Sequence, residues 1–110
     1  MKRFLFSLDG TLCTTVNNDF KTAEPIKCHI DYVNYLKDQG HYIIIWTDRE
    51  DITGVCHTNL TYNQLCKWNV KYDKILLSKP VYDVLYDNRA FDQSAIDDHF
   101  YESQEESTDL

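Results

Sequence analysis

The sequence predicts an α/β fold: a mainly parallel sheet of about four strands, with helices on both faces and three layers in all. Three observations carry that prediction. The run Tyr42-Ile43-Ile44-Ile45-Trp46 is continuously β-branched and aromatic, as in a parallel strand buried on both faces. Strand-type and helix-type segments alternate in the order β-α-β-α-β-β. Polar residues able to do chemistry stand just after four strand-type runs, where ligands of an open parallel sheet bind.

Each element has its own signal. Phe4-Leu5-Phe6 reads as the first strand, and it ends at Ser7-Leu8-Asp9-Gly10-Thr11. Polar residues then run to Glu24, with Asn17-Asn18-Asp19 as a turn signal. Pro25 suits a first helical position, and Ile26, Ile30, Val33 and Leu36 follow at helical spacing. Gly40 fits the left-handed position that stops this helix. The stretch Thr47 to Asn59 reads as a polar loop. Thr61 and Gln64 form a capping box that opens a helix through Leu65 and Trp68, closed by Asn69. Ile75-Leu76-Leu77 and Val84-Leu85-Tyr86 are the third and fourth strand candidates. Residues 1–100 are expected to form one domain, and residues 101–110 an acidic, disordered tail.

Composition narrows the function classes. A chain of 110 residues with 43% hydrophobic content supports one core. Its net charge of −7 disfavours contact along a nucleic-acid backbone, which needs lysine and arginine to displace counterions. The longest apolar run, Tyr42 to Trp46, is too short to cross a bilayer. Met1-Lys2-Arg3 leads straight into a strand without a secretory h-region, so a cytoplasmic location is expected, with no membrane partner. The four cysteines (Cys13, Cys28, Cys56, Cys66) include no CxxC pair, and no histidine stands at finger-like spacing, so free thiols are expected.

Ser7 and Asp9 follow the first strand-type run, Thr47 the second, Lys79 the third and Asp87 the fourth. The segment Phe4-Leu5-Phe6-Ser7-Leu8-Asp9-Gly10-Thr11-Leu12 resembles the first motif of the haloacid dehalogenase superfamily. Ile43-Ile44-Ile45-Trp46-Thr47 resembles its second motif, Lys79-Pro80 its third, and Leu85-Tyr86-Asp87-Asn88 its fourth. The resemblance runs from about Lys2 to Asp92 and is nearest to small cap-less phosphatases of capsule and surface-sugar synthesis. Thr11-Leu12-Cys13, Ala23-Glu24-Pro25 and the stretch Trp68 to Tyr72 add to it.

The resemblance implies a Rossmann-like fold without a cap domain. It also implies a pocket for phosphate and Mg2+, with a sugar phosphate or other phosphorylated small molecule as ligand. By the same resemblance Asp9 is the general acid and base, and Thr47 and Lys79 grip phosphoryl oxygens. Gly10 and Thr11 belong to the phosphate loop, whose amides Gly10 lets turn toward an anion. The Asp9 carbonyl and Asp87 hold the metal, with Asn88 or Asp92 as a further ligand.

Position 7 departs from the pattern. The family places its nucleophilic aspartate there, and this chain has Ser7. A serine hydroxyl without a base is a weak nucleophile, and the loss of a carboxylate weakens magnesium binding. One reading is therefore a pseudophosphatase or phospho-ligand-binding module. The alternative is a Mg2+-dependent phosphomonoesterase, active in native form, with Ser7 an engineered nucleophile substitution. A scaffold-only interaction protein is the third, and it has no physical need of Asp9, Thr47, Lys79 and Asp87.

Overall fold

The computed structural model describes the backbone of residues 1–108 and the side chains of residues 1–103. In chain order the elements are β1 (Arg3–Ser7), β2 (Cys13–Thr14), β3 (Glu24–Pro25), α1 (Lys27–Asp38), β4 (Tyr42–Trp46), α2 (Arg49–Thr53), α3 (Thr58–Lys67), β5 (Lys74–Leu76) and α4 (Ile96–Thr108). Short 3-10 turns lie at Phe20–Thr22 and Gln93–Ala95. The parallel sheet has the order β1-β4-β5, and β2 and β3 form a separate antiparallel pair.

Register decides which side chains enter the core. Phe4 pairs with Ile43, Phe6 with Ile45, and Ile45 with Ile75, so these five share one face of the sheet. Ile43 and Ile45 are completely buried there. Ile30, Val33 and Leu36 of α1, Leu65 of α3 and Ile96 of α4 join them in one cluster. Phe100 carries α4 onto α1, with its ring 5.5 Å from Tyr32 and 5.2 Å from Tyr35.

The opposite face is different. Leu5 is 51% exposed, Lys74 is exposed, and Ile44 is only half buried. The expected three-layer arrangement is thus corrected: the core lies on one face. Both crossovers, β1 to β4 through α1 and β4 to β5 through α3, step the same way across the sheet. Right-handed connections then put both helices on the same side. Among the described residues, β1 has a strand partner along one edge only.

The fourth strand is also corrected. Val84, Leu85 and Tyr86 are exposed, and no regular element occupies residues 77–92. Three apolar residues between Asp83 and Asp87-Asn88 offer few ladder bonds against strong turn formers. Pro25 is likewise not the first helical residue. It pairs with Cys13, and Ile26 N–H extends that ladder to the Leu12 carbonyl at 2.9 Å before α1 begins. The stretch read as a polar loop after Thr47 contains α2, and α3 starts at Thr58 rather than after Thr61. Helix α4 continues through Thr108, across most of the stretch expected to be a tail; residues 109 and 110 lie outside the described residues. No helix among the described residues is long and apolar enough to cross a membrane.

The turn signals act as expected. Gly40 has φ +89° and Asn69 has φ 57°, each just beyond a helix. Asn34 of α1 fixes the second turn, donating to the Asn69 carbonyl and accepting from Lys71 N–H, both at 2.8 Å. Asp73 ties β5 into the sheet by accepting from Ile43 N–H at 2.8 Å and from Lys37 Nζ at 2.6 Å.

Nothing lies within 4 Å of where a Cβ on Gly40 would project, so an added methyl meets no obstacle and acts only through the backbone. Gly40→Ala is expected to cost about 1–2 kcal/mol in urea unfolding. Ile45→Ala, which empties the packed face, is expected to cost about 2–5 kcal/mol in the same measurement.

Candidate functional site

Three of the predicted residues meet at the carboxyl edge of the sheet. Ser7 ends β1 beside Trp46, and Thr47 is the next residue along the neighbouring strand. Lys79 arrives from beyond β5, and its Nζ donates to Ser7 Oγ at 2.7 Å. The approach is pinned twice. Trp46 Nε1 donates to the Ser78 carbonyl at 2.9 Å, and Lys79 N–H donates to Asp51 Oδ2 at 2.8 Å.

The ammonium lies 5.2 Å from the Trp46 ring centroid and 5.3 Å from that of Tyr82. Lys79 is 7% exposed, yet among the described residues no carboxylate comes within ion-pair distance of it. A buried ammonium held by one hydroxyl and two rings is incompletely compensated. An anion would complete it. Thr47 is 2% exposed, and its Oγ1 accepts from Arg49 N–H at 3.2 Å.

Asp9 stands next to this trio but faces another partner. Arg49 donates from Nε to Asp9 Oδ2 at 2.8 Å and from Nη2 to Asp9 Oδ1 at 2.9 Å, a two-pronged ion pair. Thr15 adds a 2.6 Å bond to the same Oδ1, and the Cys13 thiol a 3.3 Å bond. Arg49 itself is wholly buried. Its Nη1 donates to Gln64 Oε1 at 2.6 Å and to Thr61 Oγ1 at 3.3 Å, and the guanidinium lies 4.9 Å from the Phe20 ring centroid.

Burial pushes the Asp9 pKa up, but the bonds from Arg49 and Thr15 and the Arg49 charge outweigh it. The carboxyl is left below its ordinary value. Cys13 goes the other way: burial and then the adjacent Asp9 charge push its thiol up to about 12, so it stays protonated and unreactive.

Arg49, Thr15, Thr61 and Gln64 are the residues that sequence reasoning missed. Thr61 and Gln64, read there as a capping box, belong to the Arg49 shell. The available signal was an arginine two residues after Thr47 with two polar residues one helical turn apart.

The loop does not present a row of amides. Gly10 has φ +86° as expected, but the N–H groups of Thr11, Leu12 and Cys13 all donate to the Leu8 carbonyl, and Gly10 N–H donates to the Cys13 carbonyl. Asp9 N–H is the one amide from Leu8 to Cys13 with no acceptor among the described residues. The Thr11 carbonyl accepts from His29 Nδ1 at 2.6 Å.

The remaining acids do not gather. Asp87 is exposed and accepts from Arg89 N–H at 2.8 Å; Asn88 is exposed; Asp92 accepts from Ser94 N–H at 3.0 Å. None bonds to Ser7, Asp9, Thr47 or Lys79. The Asp9 carboxylate is engaged by Arg49 and an ammonium stands against Ser7, so neither side chain offers magnesium the carboxylate oxygens it prefers. Two surface grooves of about 490 Å³ and 310 Å³ lie elsewhere, both touching Pro25, Lys67 and Trp68.

No family model matches the chain, and no curated protein does. Solved structures do. An MCSG target protein from Vibrio cholerae is similar over 98% of this chain and all of its own, at 26% identity and a TM-score of 0.79. A chain of the Pnkp1/Rnl/Hen1 complex is similar over 92% of this chain, at 20% identity and a TM-score of 0.59. A chain of the Pnkp1/Rnl/Hen1 RNA repair complex is similar over 94%, at 18% identity and the same TM-score. This chain spans about a third of those last two, 34% and 32%, and the likeness there is one of fold alone.

Because its folded pKa is lowered, Asp9 contributes stability that is present in full above its unfolded value and is lost as pH falls through the folded one. Urea midpoints measured from pH 7 down to acid should therefore decline below about pH 4. Asp9→Asn should remove that part of the decline. At pH 7 the same substitution is expected to cost about 3–5 kcal/mol, because it strands a buried guanidinium.

Proposed function

We propose that this chain is a haloacid-dehalogenase-type phosphate-binding protein, related to phosphomonoester hydrolases, in which hydrolysis is silenced at position 7. The observation that carries the reading is the 2.7 Å contact between Lys79 Nζ and Ser7 Oγ, made by a lysine that is buried without a carboxylate partner. A phosphoryl group entering beside Ser7 and Thr47 gives that ammonium the charge it lacks. The Ser7 and Thr47 hydroxyls and the Asp9 N–H supply further donors.

The same geometry argues against turnover. Ser7 has an ammonium beside it and no base. Were Lys79 to lose its proton and act as that base, it would lose its grip on the phosphate. Asp9 is ionised and engaged by Arg49, so it holds no proton for a leaving group. No step here is routed through a metal.

The resemblance implies no cap domain over the site, which suits a phosphorylated small molecule such as a sugar phosphate, or the phosphate of something larger. Likeness to a chain in an RNA repair complex does not extend to RNA binding, since a net charge of −7 opposes the backbone. The second reading, a phosphomonoesterase whose aspartate is replaced at position 7, draws support from Thr47 and Lys79 standing at adjacent strand ends.

Inorganic phosphate should raise the melting temperature of the parent chain. Lys79→Met should weaken phosphate binding by more than about 10-fold, the loss of a charged hydrogen bond worth about 1.5–3 kcal/mol. No phosphate protection of the parent would refute the binding reading. Phosphate release from a phosphomonoester panel, with magnesium present, then separates the two readings. Hydrolysis by Ser7→Asp but not by the parent means one residue silences the site. A folded but inert Ser7→Asp chain supports binding alone, and turnover by the parent would overturn the account of Ser7.

A further inference from the structure

A second cluster of reactive side chains lies apart from Ser7 and Lys79, where α4 begins against α1. Cys28 Sγ, a ring nitrogen of His29 and a carboxylate oxygen of Asp97 lie within 4.8 Å of one another. Among the described residues this is the one set of three such groups that converges. Cys28 and His29 are consecutive in the first turn of α1, and Asp97 stands in the first turn of α4. Cys28 and Asp97 are exposed, whereas His29 is 7% exposed.

The histidine is already oriented. With Nδ1 2.6 Å from the Thr11 carbonyl oxygen, Nδ1 must carry the proton, and Nε2 keeps its lone pair. A ring N–H donated to a backbone carbonyl is the arrangement that fixes a metal-binding histidine and raises its basicity. From these observations we infer that Cys28, His29 and Asp97 form a binding site for a zinc-class divalent cation.

One sulfur, one nitrogen and one oxygen ligand suit Zn2+ or Co2+, with water in the fourth tetrahedral position. Magnesium, which takes oxygen ligands, is excluded by the same set. The Cys28 thiol proton leaves to solvent as the thiolate coordinates. Binding would tie the start of α4 to the first turn of α1. Because His29 also holds Thr11, occupancy stiffens the loop from Leu8 to Cys13 at the same time. The site needs neither phosphate nor hydrolysis and stands independently of the proposed function.

The test is a Co2+ titration of the full chain in a Cys56→Ser, Cys66→Ser background, which removes the two other exposed thiols. One Co2+ per chain is expected at micromolar concentrations, with tetrahedral visible bands and a sulfur-to-cobalt charge-transfer band. Cys28→Ser should abolish the charge-transfer band, and Asp97→Asn should weaken binding by more than about 10-fold. Both positions are exposed, so folding is not at stake. Zn2+ should displace the cobalt and excess Mg2+ should not, and Zn2+ should slow amide hydrogen exchange in residues 8–13 and at the start of α4. Absence of stoichiometric binding, or an unchanged charge-transfer band in Cys28→Ser, would overturn the site.

Discussion

Arg49 sits where no water reaches it, and among the described residues only Asp9 neutralises its charge. Such a group can be buried only if every donor finds an acceptor, and three separate segments are recruited to meet that demand. Asp9 comes from the loop after β1, Thr61 and Gln64 from α3, and the Phe20 ring from the turn before β3. Gln64 then passes the constraint on by donating to the Phe20 carbonyl at 2.6 Å. The loop from Leu8 to Cys13, the start of α2 and one face of α3 are therefore fixed together. The positions of Ser7 and Thr47 follow, because each stands two residues before a member of this network, Asp9 and Arg49.

That arrangement separates two tasks which the motif pattern alone would combine. Asp9 is committed to holding the edge of the sheet together, so its charge is spent inside the protein. Lys79 is in the opposite condition, with its charge brought in and left without an opposite one. On the proposed reading, anchoring falls to the Asp9–Arg49 pair and ligand capture to Lys79. Substitutions at Asp9 would be read first as loss of fold, and, on the proposed reading, substitutions at Lys79 as loss of a ligand.

The parts legible in the sequence were those with a local cause. The run Tyr42 to Trp46 became the central strand, Gly40 and Asn69 took their left-handed turns, and Ser7, Thr47 and Lys79 came to one edge. Long-range consequences were not legible. Whether helices cover one face or two depends on the direction in which successive crossovers step, which composition does not encode. Thr61 and Gln64 have a helix-start spacing, but a buried arginine supplied by a distant segment redirected both. Val84 to Tyr86 has strand-type residues without the pairing that would make them a strand. The Arg49 shell left only a faint local trace, an arginine two residues after Thr47 and two polar residues one helical turn apart, and its contacts exist only in the fold.

The unpartnered edge of β1 and the exposed Leu5 give the chain a particular vulnerability in acid. A free strand edge is a place where another chain can add, and like charge is what keeps copies apart. Here that protection is a net charge of −7, which vanishes near the isoelectric point of about 4.8. The Asp9–Arg49 pair weakens as pH falls further. Acidification therefore removes mutual repulsion before it loosens the fold, so chains that open do so among neighbours they no longer repel. Unfolding by that route ends in association, and the lifetime of the folded chain, rather than an equilibrium, sets its persistence in acid.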